Sequence, residues 1–147
     1  MRVDGPVYFD TSALAKWYLN EPHSEAVERF IVGSAPMVIS DLTVAEMRSL
    51  LARKRREKAF DATTEAKVYA AFREDLRNGF LYKAPLSPDS FEGAVNLMTM
   101  LPDIPLRTLD ALHLAFAQAA GATALATFDE LMARAAEALE LNVIDFG

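Results

Sequence analysis

Short continuous apolar runs alternate along this chain with longer stretches in which apolar residues recur at helical spacing. Val7 to Phe9, Met37 to Ile39, Phe80 to Ala84, Ala122 to Ala126 and Asn142 to Phe146 predict strands, the third of them at a sheet edge. Between them, ALAKWYL predicts a short helix stopped near Asn20 and Pro22, and Ser24 to Val32 a second, with Gly33 as its C′ residue. From Asp41 onward Val44, Met47 and Leu51 form one stripe. From Ala62 to Asn78 the inward positions are Val68, Phe72 and Leu76, with Gly79 as terminator. Pro88 to Met100 carries a stripe of Phe91, Val95 and Met98, and two further helices read LDALHLAFAQAA and FDELMARAAEAL. Strands separated repeatedly by helices predict a mostly parallel sheet covered on both faces, a three-layer α/β/α sandwich.

Capping chemistry refines the boundaries. Thr11 and Ser12 offer a cap after Asp10, and Ser40 is the expected N-cap of the third helix, although Thr43 and Glu46 also match a capping box. Thr108 is expected to cap the helix containing Asp110. Thr127, at capping-box distance from Glu130, is expected to open the last helix.

With 147 residues, the chain has the size of one ordinary domain, and no linker, repeat or low-complexity segment divides residues 1–147. It has no Cys and only two His, His23 and His113, which leaves neither disulfides nor thiolate zinc sites and makes a histidine zinc centre poor. Oxygen donors remain, and these favour Mg2+, with Mn2+ as a substitute. The amino terminus lacks the apolar stretch of a signal peptide and no segment approaches a membrane span, so a cytoplasmic protein is expected. The net charge of −6 argues against nucleic acid, but Arg53, Lys54, Arg55, Arg56 and Lys58 form a local positive block.

Four acids stand where strands give way to helices: Asp10, Glu46, Asp110 and Asp129. In an open parallel sheet, ligands bind beyond the carboxyl ends of the strands where connections diverge. A convergence of these junctions would make a carboxylate cluster that needs a dication. Singly, each acid has a blander role: a dipole partner in the first helical turn for Asp110 and Asp129, a turn-amide acceptor for Asp10, a solvated helix face for Glu46. Only the joint pattern favours a site.

The segments VYFDTSALAKWY, LTVAEMRSLLAR, LRTLDALHLAFAQAAGA and LATFDELMARAAEALELNVI closely resemble, in order and over nearly the whole chain, the PIN-domain ribonucleases of the VapC toxin type. The resemblance implies a five-stranded parallel sheet, which agrees with the strand count, and maps the family's acidic quartet onto Asp10, Glu46, Asp110 and Asp129. It also implies a homodimer and a cognate antitoxin whose C-terminal segment blocks the site. Thr11 and Ser12 match the hydroxyls after the family's first acid, expected to orient Asp10, to contact metal-bound water or simply to cap the helix.

The expected chemistry is Mg2+-dependent hydrolysis of RNA phosphodiesters, leaving a 5′-phosphate and a 3′-hydroxyl. Asp10 and Asp110 are the expected closest metal contacts, Asp129 a water-mediated one, and Glu46 a completing ligand or a group orienting water. His113, one turn after Asp110, could touch a phosphate or form a pocket wall. Arg107 could contact RNA or pair with a carboxylate. Arg53, Lys54 and Arg56, with Arg73 and Arg77, could steer the RNA backbone, against the alternative of a solvated helix end. Trp17, Tyr18, Leu19, Phe72 and Phe80 could form an apolar dimer or antitoxin surface, or belong to the core.

Rival functions are a structure-specific DNA nuclease, another metal-dependent phosphoesterase, or an inactive binding module of the same fold. A haloacid-dehalogenase-like phosphatase would want a second Asp two residues after Asp10, where Ser12 stands.

Overall fold

A computed structural model describes residues 4–33 and 36–147. Its five strands are β1 (Val7–Phe9), β2 (Met37–Ile39), β3 (Leu81–Lys83), β4 (Ala124–Ala126) and β5 (Asn142–Val143). They form one sheet in the order β3-β2-β1-β4-β5, every neighbouring pair parallel. Strand periodicity divides the core into two. Val7, Phe9, Met37, Ile39, Ala124 and Ala126 face one layer, where α1 (Thr11–Tyr18), α2 (Ser24–Val32), α3 (Asp41–Arg56) and α4 (Ala62–Arg77) contribute Leu14, Val27, Met47 and Phe72. The alternate residues Tyr8, Val38 and Leu125 face α5 (Ser90–Met100), α6 (Thr108–Ala119) and α7 (Glu130–Ala138), which contribute Leu97, Leu114 and Met132. This is the α/β/α sandwich expected from the sequence.

The chain leaves β1 toward β2 on one side, whereas β4 flanks β1 on the other after the α5–α6 crossover. The connections therefore diverge beyond the carboxyl ends of β1 and β4, the place where open parallel sheets form a ligand crevice. Asp10 and Thr127 are the first residues past those two strands, and the Asp10 amide donates to the Ala126 carbonyl at 3.2 Å.

Several local expectations are corrected. Asp10 itself is the N-cap of α1, accepting from the Ala13 amide at 3.0 Å, so Thr11 and Ser12 lie in the first turn. Asp129 caps α7 through the Met132 amide at 2.9 Å, which leaves Thr127 outside the helix, and Arg107 rather than Thr108 is the N-cap of α6. Asp129, three residues past the end of β4, stands directly before α7 and reaches its free amides, which Thr127 does not. Ser40 caps α3 as expected. Gly33 follows α2 with φ −102°, so it ends the helix without the left-handed turn of a C′ glycine, whereas Gly79, at φ +84°, turns the chain from α4 into β3. β5 spans only Asn142–Val143, and β4 begins at Ala124 rather than Ala122.

The stripe assigned to α5 is also rotated. Phe91 and Val95 are 56% and 51% exposed, while Ser90, Ala94 and Leu97 are buried. Small residues let α5 and α6 approach closely: a Cβ on Gly93 would lie 3.5 Å from that of Ala115. Phe72 is fully buried rather than part of an apolar surface, and Trp17 packs on Phe80 with ring centroids 5.6 Å apart.

Met47 seats α3 against the sheet next to Glu46. Met47→Ala is expected to destabilise the chain by about 2–5 kcal/mol, whereas Val32→Ala at an exposed position changes stability by less than about 0.5 kcal/mol. Chemical denaturation of the two variants measures the difference; equal midpoints would contradict this packing.

Candidate active site

Asp10 is only 3% exposed and accepts three hydrogen bonds. Ser12 Oγ donates to its Oδ1 at 2.7 Å along with the Ala13 amide, and Thr127 Oγ1 donates to its Oδ2 at 2.5 Å. The Asp129 amide in turn donates to Thr127 Oγ1 at 3.0 Å, and the Phe128 amide donates to Ser12 Oγ at 3.0 Å, which ties the end of β4 to the start of α1. Among the described residues no ion pair includes Asp10. Burial pushes its pKa above the ordinary 3.8, although the hydrogen bonds from Thr127, Ser12 and Ala13 and the charge of His113 act the other way.

Asp110 and Glu46 are each held through one oxygen, and Asp129 through its capping Oδ1 and the Oδ2 beside Arg107. Asp110 Oδ2 accepts from the Arg107 amide at 3.2 Å and from Arg107 Nε at 3.4 Å, the closing interaction of the first turn of α6. The same guanidinium lies 3.7 Å from Asp129 Oδ2, so Arg107, whose side chain is 78% exposed, spans the two aspartates. Glu46 Oε1 accepts from Thr11 Oγ1 at 2.7 Å and from His113 Nε2 at 2.5 Å. Burial works against the Glu46 carboxylate, but those hydrogen bonds and the charges of His113 and Arg107 outweigh it and hold its pKa below the ordinary value.

Among the described residues no hydrogen bond reaches Asp110 Oδ1 or Glu46 Oε2. Neither atom is sealed in the core, because among the described residues the sole buried side-chain oxygen or nitrogen without a partner is Ser90 Oγ. Asp110 and Glu46 thus serve their local fold with one oxygen and keep the other without a hydrogen-bond partner, whereas Asp10 is engaged through both oxygens and Asp129 through its cap and Arg107.

The sequence-derived residues are therefore linked, though not as a ready cage. Asp10 connects to Asp129 through Thr127, Glu46 to the first turn of α1 through Thr11 and to α6 through His113, and Asp110 to Asp129 through Arg107. No group of three or more His, Cys, Asp or Glu side chains among the described residues is arranged to hold a metal ion. The donor chemistry nevertheless suits a hard cation: oxygen donors gather at the crevice, one carboxylate is buried without a counter-charge, and a mobile-length arginine neutralises two others.

The basic block lies elsewhere. Arg53 pairs with Glu57 at 3.8 Å, Lys54 with Glu21 at 3.7 Å, and Arg55 with the buried Glu65 at 3.4 Å. Arg56 stands ten residues beyond Glu46 on α3, about 15 Å along the helix axis. Two participants were missed in the sequence, Tyr8 and Ser40, whose hydroxyls lie 2.8 Å apart behind His113. A tyrosine in an otherwise apolar strand was the available signal, since a buried phenol needs a partner.

Comparison with known proteins agrees with this architecture. The PIN domain model matches residues 7–138, and the chain belongs to the PIN-domain family. Among its relatives is Ribonuclease VapC46 of Mycobacterium tuberculosis, 35% identical over 142 residues that cover 94% of this chain and 95% of that protein. A 47-residue stretch is 53% identical to Ribonuclease VapC35 of the same species, covering 29% of this chain and 35% of that one. The fold matches that of FitAcB from Neisseria gonorrhoeae with a TM-score of 0.71 at 16% identity, over 95% of this chain and 97% of the other. It also matches VapC20, a sarcin–ricin-loop-cleaving toxin of M. tuberculosis, with a TM-score of 0.67 at 18% identity, over 88% and 94% of the two chains. No helix among the described residues is long and apolar enough to cross a membrane.

The ionised Asp10 side chain costs more in the folded than in the unfolded chain. That cost is absent in acid, where the carboxyl is protonated in both states, and grows as pH rises from the ordinary Asp range through the raised folded value. Without divalent ions, Asp10→Asn is therefore expected to unfold at higher denaturant concentration than the wild type at pH 7. The gap should close below the ordinary Asp range. A variant no more stable than the wild type at pH 7 would contradict the assignment of an uncompensated buried charge.

Proposed function

We propose that this chain is a VapC-type ribonuclease toxin that hydrolyses RNA phosphodiesters with a divalent cation, Mg2+ in the cell, and is neutralised by a cognate antitoxin. The observation that carries this reading is Asp10: a carboxylate buried without an ion-pair partner past the end of β1, linked through Thr127 to Asp129 and from there through Arg107 to Asp110, with Glu46 joined to the first turn of α1 through Thr11. The 35% identity to a named ribonuclease over nearly the whole chain supports the substrate class, and the toxin–antitoxin complexes among the solved structures of this fold, such as that from Klebsiella pneumoniae, support the partner.

In this reading Asp10 and Asp110 hold the ion, with Asp129 and Glu46 completing the set or orienting the attacking water. The ion supplies charge neutralisation at the scissile phosphate and lowers the pKa of a water. Arg107 then exchanges its carboxylate partners for a phosphate of the RNA, a step its exposed side chain permits. Hydrolysis by water needs no ribose 2′-hydroxyl as nucleophile, so the products carry a 5′-phosphate and a 3′-hydroxyl. Arg56, with Arg53 and Lys54 released from surface pairs that contribute little, extends the backbone contact along α3. Two copies of the chain form the working unit.

Purified chain incubated with total RNA is expected to cleave it in Mg2+ or Mn2+ and to stop in excess chelator, with end-mapping showing 5′-phosphates. Asp10→Asn and Asp110→Asn are expected to lose at least about a hundredfold in rate. Undiminished cleavage in chelator, or full activity in Asp110→Asn, would overturn the proposal.

A further inference from the structure

Behind the crevice runs a chain of side-chain hydrogen bonds that crosses the sheet. Ser40 Oγ lies 2.8 Å from Tyr8 Oη, Tyr8 Oη lies 2.8 Å from His113 Nδ1, and His113 Nε2 lies 2.5 Å from Glu46 Oε1. These groups come from β1, the N-cap of α3, α6 and the body of α3, so nothing local forces them together. Tyr8 is fully buried and His113 is 3% exposed, whereas Glu46 is only partly covered. The order runs from core to crevice. His113 therefore faces Glu46, not solvent, which excludes the phosphate contact considered for it from the sequence.

Proton bookkeeping fixes the direction at the outer end. An ionised carboxylate only accepts, so the His113–Glu46 contact requires a proton on Nε2. Thr11 Oγ1 donates to the same Glu46 oxygen, which leaves Oε2 without a hydrogen-bond partner among the described residues. At the inner end, Tyr8 Oη occupies Nδ1 and so fixes the ring plane. The edge-on packing of the Tyr8 and His113 rings, with centroids 5.8 Å apart, restricts that plane further.

We infer that Tyr8 and His113 are positioning residues for Glu46: Tyr8 holds the imidazole by Nδ1, and His113 presents its Nε2–H to Oε1 so that Oε2 alone is offered to the cation and its water. This rests on the ribonuclease reading for what Glu46 does, but the hydrogen-bond chain stands by itself. The arrangement explains why a histidine is buried beside a strand tyrosine, a placement that packing alone would fill with an aliphatic residue. It parallels the way metal-site ligands are oriented by outer partners, whose loss typically costs about 10–100-fold in metal affinity or activity.

Three variants and two readouts test it. In protein labelled with 15N at histidine, the His113 resonance, assigned by its absence in His113→Gln, is expected to show a proton on Nε2 that exchanges slowly with water. Tyr8→Phe, which removes a single oxygen, is expected to retain the fold while that exchange becomes faster. Manganese titration of the metal-free chain is expected to show affinity reduced about 10–100-fold in His113→Leu. His113→Gln, whose amide N–H can replace Nε2–H, is expected to recover most of the loss.

An Nε2 without a proton would overturn the inference. So would manganese affinity and RNA cleavage in His113→Leu and Tyr8→Phe equal to the wild type. A wild-type chain that bound no manganese and cleaved no RNA would overturn the ribonuclease reading instead, and the proton on Nε2 would still decide the hydrogen-bond chain.

Discussion

A carboxylate removed from water with no opposite charge beside it is among the more costly features a small domain can carry, and Asp10 is such a group. Its burial follows from the topology. β1 is the middle strand of five, so the residue that follows it is enclosed by the ends of β2 and β4 and the starts of α1 and α7. Hydrogen bonds from Ser12, Ala13 and Thr127 reduce the cost of ionisation, yet burial still leaves its pKa raised. Dipoles from backbone and hydroxyl groups offset part of the desolvation penalty of an ion; a cation in contact offsets far more.

The remaining acids show how one residue can shape the fold and still be available to the proposed site. Asp129 caps α7, Asp110 closes the first turn of α6 onto Arg107, and Asp10 caps α1, so three of the four begin helices. A structural role does not preclude the proposed one, because a carboxylate has two oxygens and helix capping uses one. The capping bond fixes the rotamer and thereby the position of the other oxygen, which Thr127 engages in Asp10 and Arg107 in Asp129, and which no hydrogen bond among the described residues reaches in Asp110. Glu46, in the body of α3, has no such help from its own helix terminus. Its orientation comes from Thr11 and from His113.

Much of this was legible in the sequence, for identifiable reasons. Five apolar runs and the helical stripes between them gave the layer order, because a parallel sheet buried on both faces has little compositional freedom. Asp10, Glu46, Asp110 and Asp129 stood out by recurring at strand–helix junctions. The helix starts at Asp10 and Asp129 were not resolved, since Thr127 with Glu130 and Asp129 with Met132 have the same spacing and the strand end decides between them. The α5 stripe was misassigned because that helix is apolar on more than one side, and close approach to α6 selected the small residues Ala94 and Gly93 over Phe91. Tyr8 left almost no trace, being one aromatic residue in a short apolar strand whose partners lie 32 and 105 residues away. Nor did the sequence reveal that Arg107 spans two of the acids, which depends on how β4 places Asp129 beside α6.

The central claim is that the crevice beyond β1 and β4 is a cation site organised around Asp10. Crystals of the chain grown with manganese test it most directly. An anomalous-scattering peak within about 2.2 Å of oxygens from both Asp10 and Asp110, with Arg107 moved off the aspartates, is the expected result. A peak confined to surface carboxylates, or none in the crevice at a manganese concentration that supports RNA cleavage, would contradict it.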